Sequence, residues 1–271
     1  MSSLAPPETN WQNPVKTKLQ KGDSVIGIVI SVNNVEVAAQ AANTGFDFLW
    51  IEMEHAPISL ETLRHIVLAT RGLPAVPFAR PPVNELWTAK RVLDAGVLGV
   101  IFPFTRTPEL ARQAAAACRY PPTGLRGSGA DLAQFRWPAP HGYYDFADEN
   151  VLVVAVVEDT SAVSHIDEIA ATPGVDVLFI GTSDLSFSLG LRGEQEHPKL
   201  DEAVANIAAA AKKHRKFLGR PGRTVEEIRK YQKHGFQFFM TGTDLDFMSA
   251  AAIELLAPFG KAKRRVQCGG I

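Results

Sequence analysis

Eight short apolar runs, each followed by a stretch of helical character, constrain the fold of this 271-residue chain most strongly. Strands that alternate with helices form parallel sheets, and eight such units in about 250 residues are typical of one closed (β/α)8 barrel. A doubly wound open sheet is the alternative. The predicted strands are 24–30, 46–51, 75–79, 97–102, 151–157, 175–180, 216–219 and 236–241, and the predicted helices are 34–43, 59–71, 84–95, 107–120, 162–171, 199–214, 224–234 and 246–256.

The domain boundaries follow from this alternation. The sequence predicts a single α/β barrel domain at 23–258, between an N-terminal extension at 1–22 and a basic tail at 259–271. The segment 121–150 is too long for an ordinary connection. Its aromatic residues, among them Trp137 and Tyr143, favour an ordered cover near the barrel mouth or a subunit contact.

Composition argues against several classes of partner. The formal net charge is −1, so the chain offers no broad positive field and we expect no nucleic-acid partner. The basic cluster at 261–265 is interpreted as a solvated tail. Two distant cysteines, Cys118 and Cys268, predict no disulfide framework and a cytoplasmic location. No segment approaches the roughly 20 apolar residues of a membrane span, so we expect no membrane partner.

Two carboxylates follow neighbouring predicted strands. Glu158 comes directly after the run 151–157, and Asp184 follows the run 175–180 by four residues. Groups just past the carboxyl ends of barrel strands line the active site, and two carboxylates there suit a hard divalent cation such as Mg2+ or Mn2+. Taken singly, Asp184 could be a helix cap and Glu158 a structural partner of Arg80. Taken together, they favour a bridging metal, because two close acids raise each other's pKa.

Other polar residues at the predicted mouth suggest proton transfer and anion binding. His55 could accept a proton near neutral pH, although a lone histidine in a turn is more often structural. Asp94 ends a predicted helix, where the dipole disfavours an acid, so it needs a partner; His55 is one candidate, and a surface carboxylate is the alternative. Arg80 offers a planar fork for a carboxylate or phosphate, or a salt bridge across the mouth. The small residues 181–183 would let backbone N–H groups approach an anion.

Four segments, 46–57, 91–96, 119–127 and 174–185, resemble the HpcH/HpaI family of class II, metal-dependent pyruvate aldolases. The similarity extends from about Gly22 to Pro258, which is nearly the whole chain. The resemblance implies a barrel of the phosphoenolpyruvate/pyruvate-binding type, assembled as a homo-oligomer, either a hexamer or a trimer. It also implies small-molecule partners, since family substrates are 4-hydroxy-2-oxo acids that are split into pyruvate and an aldehyde.

The resemblance further implies a division of roles at the site. Glu158 and Asp184 would hold Mg2+, Mn2+ or Co2+, and pyruvate would chelate that ion through its carboxylate and keto oxygens. Arg80 would lie near the keto oxygen, and the amides of Ser183 and Asp184 near the carboxylate. The metal would stabilise the enolate as a Lewis acid.

The same resemblance pairs His55 with Asp94 for proton transfer. Two positions depart from the family pattern: Glu52 stands where aspartate is common, and Val156 where glutamine is common. Arg106 is also unusual at the mouth and suggests recognition of an acidic acceptor. These departures leave open oxaloacetate decarboxylation or carbon–carbon bond formation as in macrophomate synthase.

Two alternatives to the aldolase remain from the sequence. A phosphate-binding barrel is suggested by 219–223 and 242–244, which follow predicted strands seven and eight, where barrels often hold phosphate. A non-catalytic barrel that binds 2-oxo acids is suggested by Glu52 and Val156. It would bind pyruvate or metal without releasing an aldehyde.

Overall fold

The computed structural model describes residues 11–137 and 139–261. Eight parallel strands close into a barrel in chain order, with the last strand pairing with the first, which confirms the predicted (β/α)8 fold. The strands are β1 (Val25–Ile30), β2 (Phe48–Glu52), β3 (Val76–Arg80), β4 (Gly99–Phe102), β5 (Leu152–Val157), β6 (Val177–Ile180), β7 (Phe217–Pro221) and β8 (Phe238–Thr243).

Thirteen described helices accompany the strands, because several βα units carry more than one. They are α1 (Pro14–Gln20), α2 (Val35–Ala42), α3 (Leu60–Ala69), α4 (Leu86–Ala95), α5 (Pro108–Ala117), α6 (Asp131–Arg136), α7 (Tyr143–Asn150), α8 (Thr160–Ser164), α9 (Ile166–Ala171), α10 (Thr182–Ser188), α11 (Pro198–Lys213), α12 (Val225–Gln232) and α13 (Asp244–Leu256). A 3-10 turn, Ala257–Phe259, ends the described barrel.

Three of the differences from the predicted elements concern α1, α10 and α13. Part of the predicted extension forms α1, whose Val15 and Leu19 are buried in the core. The short helix α10 was not predicted. Helix α13 begins two residues before the predicted start, because Thr243 and Asp246 form a reciprocal capping box that fixes its first turn.

The long segment between α5 and β5 contains α6 and α7. Its Trp137 side chain donates to the Gly96 carbonyl oxygen at 2.8 Å, and Arg136 donates to the carbonyl oxygens of Val67 and Thr70. These acceptors lie in and just beyond the last turns of α3 and α4, which lead into the amino ends of strands. Residues 136–137 are therefore anchored at the amino end of the barrel and not at the mouth that the sequence favoured.

Aromatic rings fill the barrel interior and require glycine opposite them. Phe48 stacks on Phe238 with ring centroids 4.4 Å apart and also packs against Phe78 at 5.2 Å. A Cβ at Gly27 or Gly99 would lie 2.2 Å from a ring atom of Phe48 or Phe78. The interior is thus closed by side chains, which leaves the carboxyl ends of the strands as the open face.

The structure describes one of the two cysteines, Cys118. Cys118 is buried, and burial raises the pKa of its thiol to about 12, so the reactive thiolate is scarce at neutral pH. Cys268 and the tail beyond Lys261 lie outside the described residues. Within the described ranges, no helix combines the length and the apolar character needed to cross a bilayer.

Candidate active site

A buried ion pair joins the carboxyl ends of β2 and β3. Glu52 and Arg80 are the last residues of these strands and are direct partners in the register. The Oε2 atom of Glu52 accepts from Nε and Nη2 of Arg80, both at 2.6 Å, and from Nε1 of Trp50 at 3.1 Å. Because Glu52 is fully buried, these bonds hold the Arg80 guanidinium in one orientation.

The second oxygen of Glu52 shapes the turn after β2. Oε1 accepts from the backbone N–H groups of Glu54 at 2.7 Å and His55 at 3.0 Å. The turn brings Oε2 of Glu54 to 3.1 Å from Nη1 of Arg80 and to 3.6 Å from Nε2 of His55. The His55 side chain is 49% exposed, so it stands at the rim with access to solvent.

Glu158 lies directly beyond β5 and is 3% exposed. Its Oε1 atom accepts from the backbone N–H of Phe104 at 2.7 Å, and its side chain packs on Gly181, where a Cβ would lie 2.7 Å from Oε2. Burial raises the pKa of Glu158 to about 7. The bond from Phe104 and the charge of Arg80 lower this pKa, whereas the charges of Asp184 and Glu54 raise it further.

Asp184 is the third residue of α10, which begins directly after the Gly181 turn beyond β6. Backbone N–H groups in the first turn of a helix have no partner inside the helix, so the amides of Ser183 and Asp184 are available to a ligand. Packing of Glu158 on Gly181 brings the two acids to the same side of the mouth. Each of the two predicted metal ligands is therefore within the electrostatic field of the other.

The mouth holds more acid than base. Burial raises the pKa of Glu54, and the charges of Glu52 and Asp184 raise it further, while Arg80 and His55 act in the opposite direction. Among residues 11–137 and 139–261, no cluster of three or more His, Cys, Asp or Glu side chains has the spacing of a metal site. Glu158 and Asp184 would thus supply two oxygens to an ion and leave its other positions open to water and substrate.

Asp94 and His55 do not meet within one chain. The Oδ1 atom of Asp94 lies 3.1 Å from Nη2 of the buried Arg126, and burial raises the pKa of Asp94. Asp94 belongs to the last turn of α4, which returns to the amino end of the barrel, whereas His55 follows the carboxyl end of β2. The position of Asp94 at the C-terminal end of a helix predicted a partner for its carboxylate, and in this chain that partner is Arg126.

Glu52 and Glu54 position Arg80, a role that the sequence did not predict for them. The sequence marked Glu52 only as a departure from a family pattern and offered Glu158 as a partner of Arg80. In the structure, Arg80 pairs with Glu52 and Glu54 instead. The signal for the first pair was present, since Glu52 and Arg80 end consecutive strands.

Comparisons with known proteins agree with this fold. The family model described as HpcH/HpaI aldolase/citrate lyase matches residues 26–251. A hydroxypyruvate/pyruvate aldolase of Cupriavidus necator is 34% identical over 248 residues, which cover 91% of this chain and 92% of that protein. A 5-keto-4-deoxy-D-glucarate aldolase of Klebsiella pneumoniae is 33% identical over 251 residues, or 93% of this chain and 98% of that protein.

A solved structure extends the agreement to three dimensions. An HpcH/HpaI aldolase/citrate lyase family protein from Burkholderia cenocepacia superposes with a TM-score of 0.84 at 31% identity. The alignment covers 92% of this chain and all of that one. The chain therefore belongs to the HpcH/HpaI aldolase/citrate lyase family, as the resemblance predicted, and it is an aldolase, a carbon–carbon lyase.

Proposed function

We propose that the protein cleaves a 4-hydroxy-2-oxo acid to pyruvate and an aldehyde with a divalent metal ion held by Glu158 and Asp184. The observation that carries this proposal is the buried Glu158 carboxylate, which is surrounded by further acids and has Arg80 as the opposing charge. Family membership supplies the aldolase chemistry, and the two relatives are named for 2-oxo acids.

The donor set fits Mg2+ or Mn2+. Both proposed ligands are carboxylates, the oxygen donors that hard cations prefer, and burial of Glu158 makes its ionised form costly without a cation. Among the described residues, only the Phe104 N–H donates to this carboxylate, and it uses Oε1. When bound, the ion supplies Lewis-acid stabilisation of the negative charge that develops on the substrate.

The protein's own groups would hold the 2-oxo end of the substrate. Arg80 is fixed by Glu52 before substrate arrives, so its charge needs little reorganisation when the keto oxygen becomes negative. The free amides of Ser183 and Asp184 would donate to the substrate carboxylate. These assignments make Arg80 a catalytic residue and the α10 turn a binding element.

His55 is the proposed proton acceptor for the substrate's 4-hydroxyl group. It lies at the rim, on the turn that Glu52 fixes, and its imidazole side chain is of the type that most often serves as a general base. In one chain, the carboxylate beside it is Glu54. Removal of His55 is expected to slow pyruvate release by about 100-fold or more, the usual contribution of a general base.

The proposed homo-oligomer would explain both Asp94 and an exposed apolar surface. Phe247 and Met248 of α13 are exposed and line an apolar groove of about 880 Å3 between α2 and α13. This groove lies outside the barrel, and large apolar patches often mark interfaces. Asp94 could reach His55 only from another copy of the chain. We therefore propose that the His55–Asp94 pair forms between subunits.

Co-expression of H55A and D94A chains tests the pairing between subunits. Each variant alone is expected to be weakly active, whereas mixed oligomers should recover about a quarter of the wild-type sites, since random assembly brings intact partners together. Pyruvate release and light-scattering mass are the measurements. A monomeric mass, or mixed oligomers no more active than the parent variants, would contradict the pairing.

Metal affinity is expected to fall as the pH drops through about 7. Glu158 must lose its proton to bind a cation, and its pKa is raised to about 7. Binding of Mn2+ should therefore be about tenfold weaker at about pH 6 than at about pH 8. Isothermal titration of the metal-free protein measures this, and an affinity that does not vary over this range would argue against Glu158 as a ligand.

The phosphate-binding alternative is not favoured by the loops beyond β8. The Asp244 carboxylate already accepts from the backbone N–H groups of Ser31 and Val32 at 3.1 and 3.0 Å. A carboxylate in this position uses the donors that an anion would need and repels it. Oxaloacetate decarboxylation and simple binding of 2-oxo acids use the same residues at the mouth, so activity must distinguish them.

Pyruvate release from several acids tests the proposal directly. Protein treated with EDTA is assayed with 4-hydroxy-2-oxo acids and with oxaloacetate, coupled to lactate dehydrogenase, before and after Mg2+ or Mn2+ is restored. The aldolase is expected to regain cleavage of a hydroxy-oxo acid. Restored release from oxaloacetate alone would indicate a decarboxylase, and binding of pyruvate without release from either acid would indicate a binding protein.

A further inference from the structure

Arg106 stands beside the buried acid of the candidate site. Its guanidinium carbon lies 4.6 Å from the centre of the Phe104 ring, and the Phe104 N–H donates to Glu158. Its Nε atom lies 3.7 Å from Oδ2 of Asp159, the residue after Glu158. Arg106 is thus linked to the surroundings of Glu158 on both sides, through Phe104 after β4 and through Asp159 after β5.

The backbone that carries Arg106 is held rigidly. Phe104 has φ 44°, in the left-handed region that non-glycine residues seldom adopt, and its bond to Glu158 holds it there. Thr105 is fully buried, donates its N–H to the Val156 carbonyl oxygen at 3.1 Å and accepts from Asn84 Nδ2 at 3.2 Å. The base of the Arg106 side chain is therefore positioned before any ligand binds.

The guanidinium itself remains available. The Arg106 side chain is 49% exposed, and its contact with Asp159 is longer than a hydrogen bond. Within the described residues, its terminal Nη groups have no acceptor or ion-pair partner, whereas those of Arg80 are taken by Glu52 and Glu54. A free planar fork in this position matches a carboxylate.

We propose that Arg106 determines substrate specificity by binding a carboxylate on the aldehyde half of the substrate. The inference rests on the proposed function, because it assumes that the 2-oxo end lies at Glu158 and Asp184. The far end of a chain six carbons long then extends toward the rim where Arg106 stands. Arg106 thus selects 2-oxo acids with a second carboxylate over those with an apolar end.

Binding of two uncleaved analogues tests the inference without turnover. Isothermal titration of the Mn2+-loaded wild-type protein compares 2-oxoadipate with 2-oxohexanoate, which has the same chain length and lacks the second carboxylate. We expect wild type to prefer 2-oxoadipate about tenfold and R106Q to lose this preference with 2-oxohexanoate affinity unchanged, as for one charge-assisted contact. R106K should keep part of the preference, and salt should weaken it because the site is exposed.

The matched control is D159N, which removes the acid beside Arg106 and keeps a side chain able to cap α8. D159N is expected to keep or increase the preference. An equal loss for both analogues in R106Q would mean that Arg106 only supports Glu158, and an unchanged preference would mean that it only pairs with Asp159; both overturn the inference. A tenfold preference in a protein that releases no pyruvate would reject the proposed function and leave the binding role of Arg106 intact.

Discussion

Replacement of Glu158 by glutamine is expected to lower kcat/KM for metal-dependent pyruvate release about 1000-fold, since Lewis-acid stabilisation contributes several kcal/mol. Glutamine keeps the shape of the side chain, and its carbonyl oxygen can still accept from the Phe104 N–H. What it removes is the negative charge that the proposed metal requires. The coupled pyruvate assay, with Mn2+ titrated over a wide range, measures the effect.

The control for this variant is D159N, one residue along the chain. Asp159 is partly exposed and caps α8 through the N–H of Ser161, a contact that asparagine can also make. The activity of D159N on a substrate without a second carboxylate should stay close to that of wild type. If E158Q kept wild-type activity and Mn2+ affinity, the ligand assignment would be refuted.

The E158Q variant is expected to lose activity but to gain thermal stability relative to wild type as the pH rises. The unfolded Glu158 carboxyl ionises near its ordinary pKa of 4.5, whereas the folded one keeps its proton up to about pH 7. Between these values unfolding releases a proton, so the free energy of unfolding of the metal-free protein falls as the pH rises. Glutamine does not ionise. In EDTA, the melting temperature of E158Q relative to wild type should therefore rise from about pH 5 to about pH 8.

Replacement of Glu52 by alanine is expected to destabilise the fold by about 3–5 kcal/mol, the usual result of removing one partner of a buried ion pair. The change leaves Arg80 and the indole N–H of Trp50 without their shared acceptor and frees the turn that carries His55. At about 2–4 °C per kcal/mol for large domains, the melting temperature should fall by roughly 10 °C. Thermal unfolding followed by circular dichroism measures it, and the pyruvate assay should show a parallel loss.

Two further variants separate charge from packing at this position. E52D keeps the charge and shortens the side chain by one methylene, so it should cost less than E52A. E109A removes an acid from the exposed pair of Glu109 with Arg112 and should leave the melting temperature almost unchanged. If E52A had the same melting temperature as E109A, the buried pair of Glu52 and Arg80 would not stabilise the mouth of the barrel.

Much of the barrel could be predicted from local sequence. Runs such as Val151–Val157 are apolar at every position, which is the pattern of a strand buried on both faces, and β5 occupies 152–157. The residues at the carboxyl ends of such strands were correctly expected to lie on one face of the barrel, and Glu158 and Arg80 are among them. The start of α13 was missed because its capping signal, Thr243 with Asp246, lies inside a run that also continues β8.

The contacts between distant segments of the chain could not be predicted in the same way. Nothing in the sequence near Asp94 says that its partner is Arg126, because that residue arrives from a connection that folds back on the helices. The same connection places Trp137 at the amino end of the barrel, although its aromatic content suits either end. Glu52 was marked as unusual, but its donors come from four residues in three places: Trp50 on the same strand, Glu54 and His55 on the following turn, and Arg80 on the neighbouring strand.

The sequence by itself determined the barrel and the face on which the acids stand, because burial of apolar runs and the direction of parallel strands depend on local pattern alone. The tertiary structure decided which charges meet. Arg80 turns to Glu52, Glu158 is held by the Phe104 backbone, and Asp94 is separated from His55. Pairing of charges depends on strand register and loop path, which are set only when the whole barrel closes.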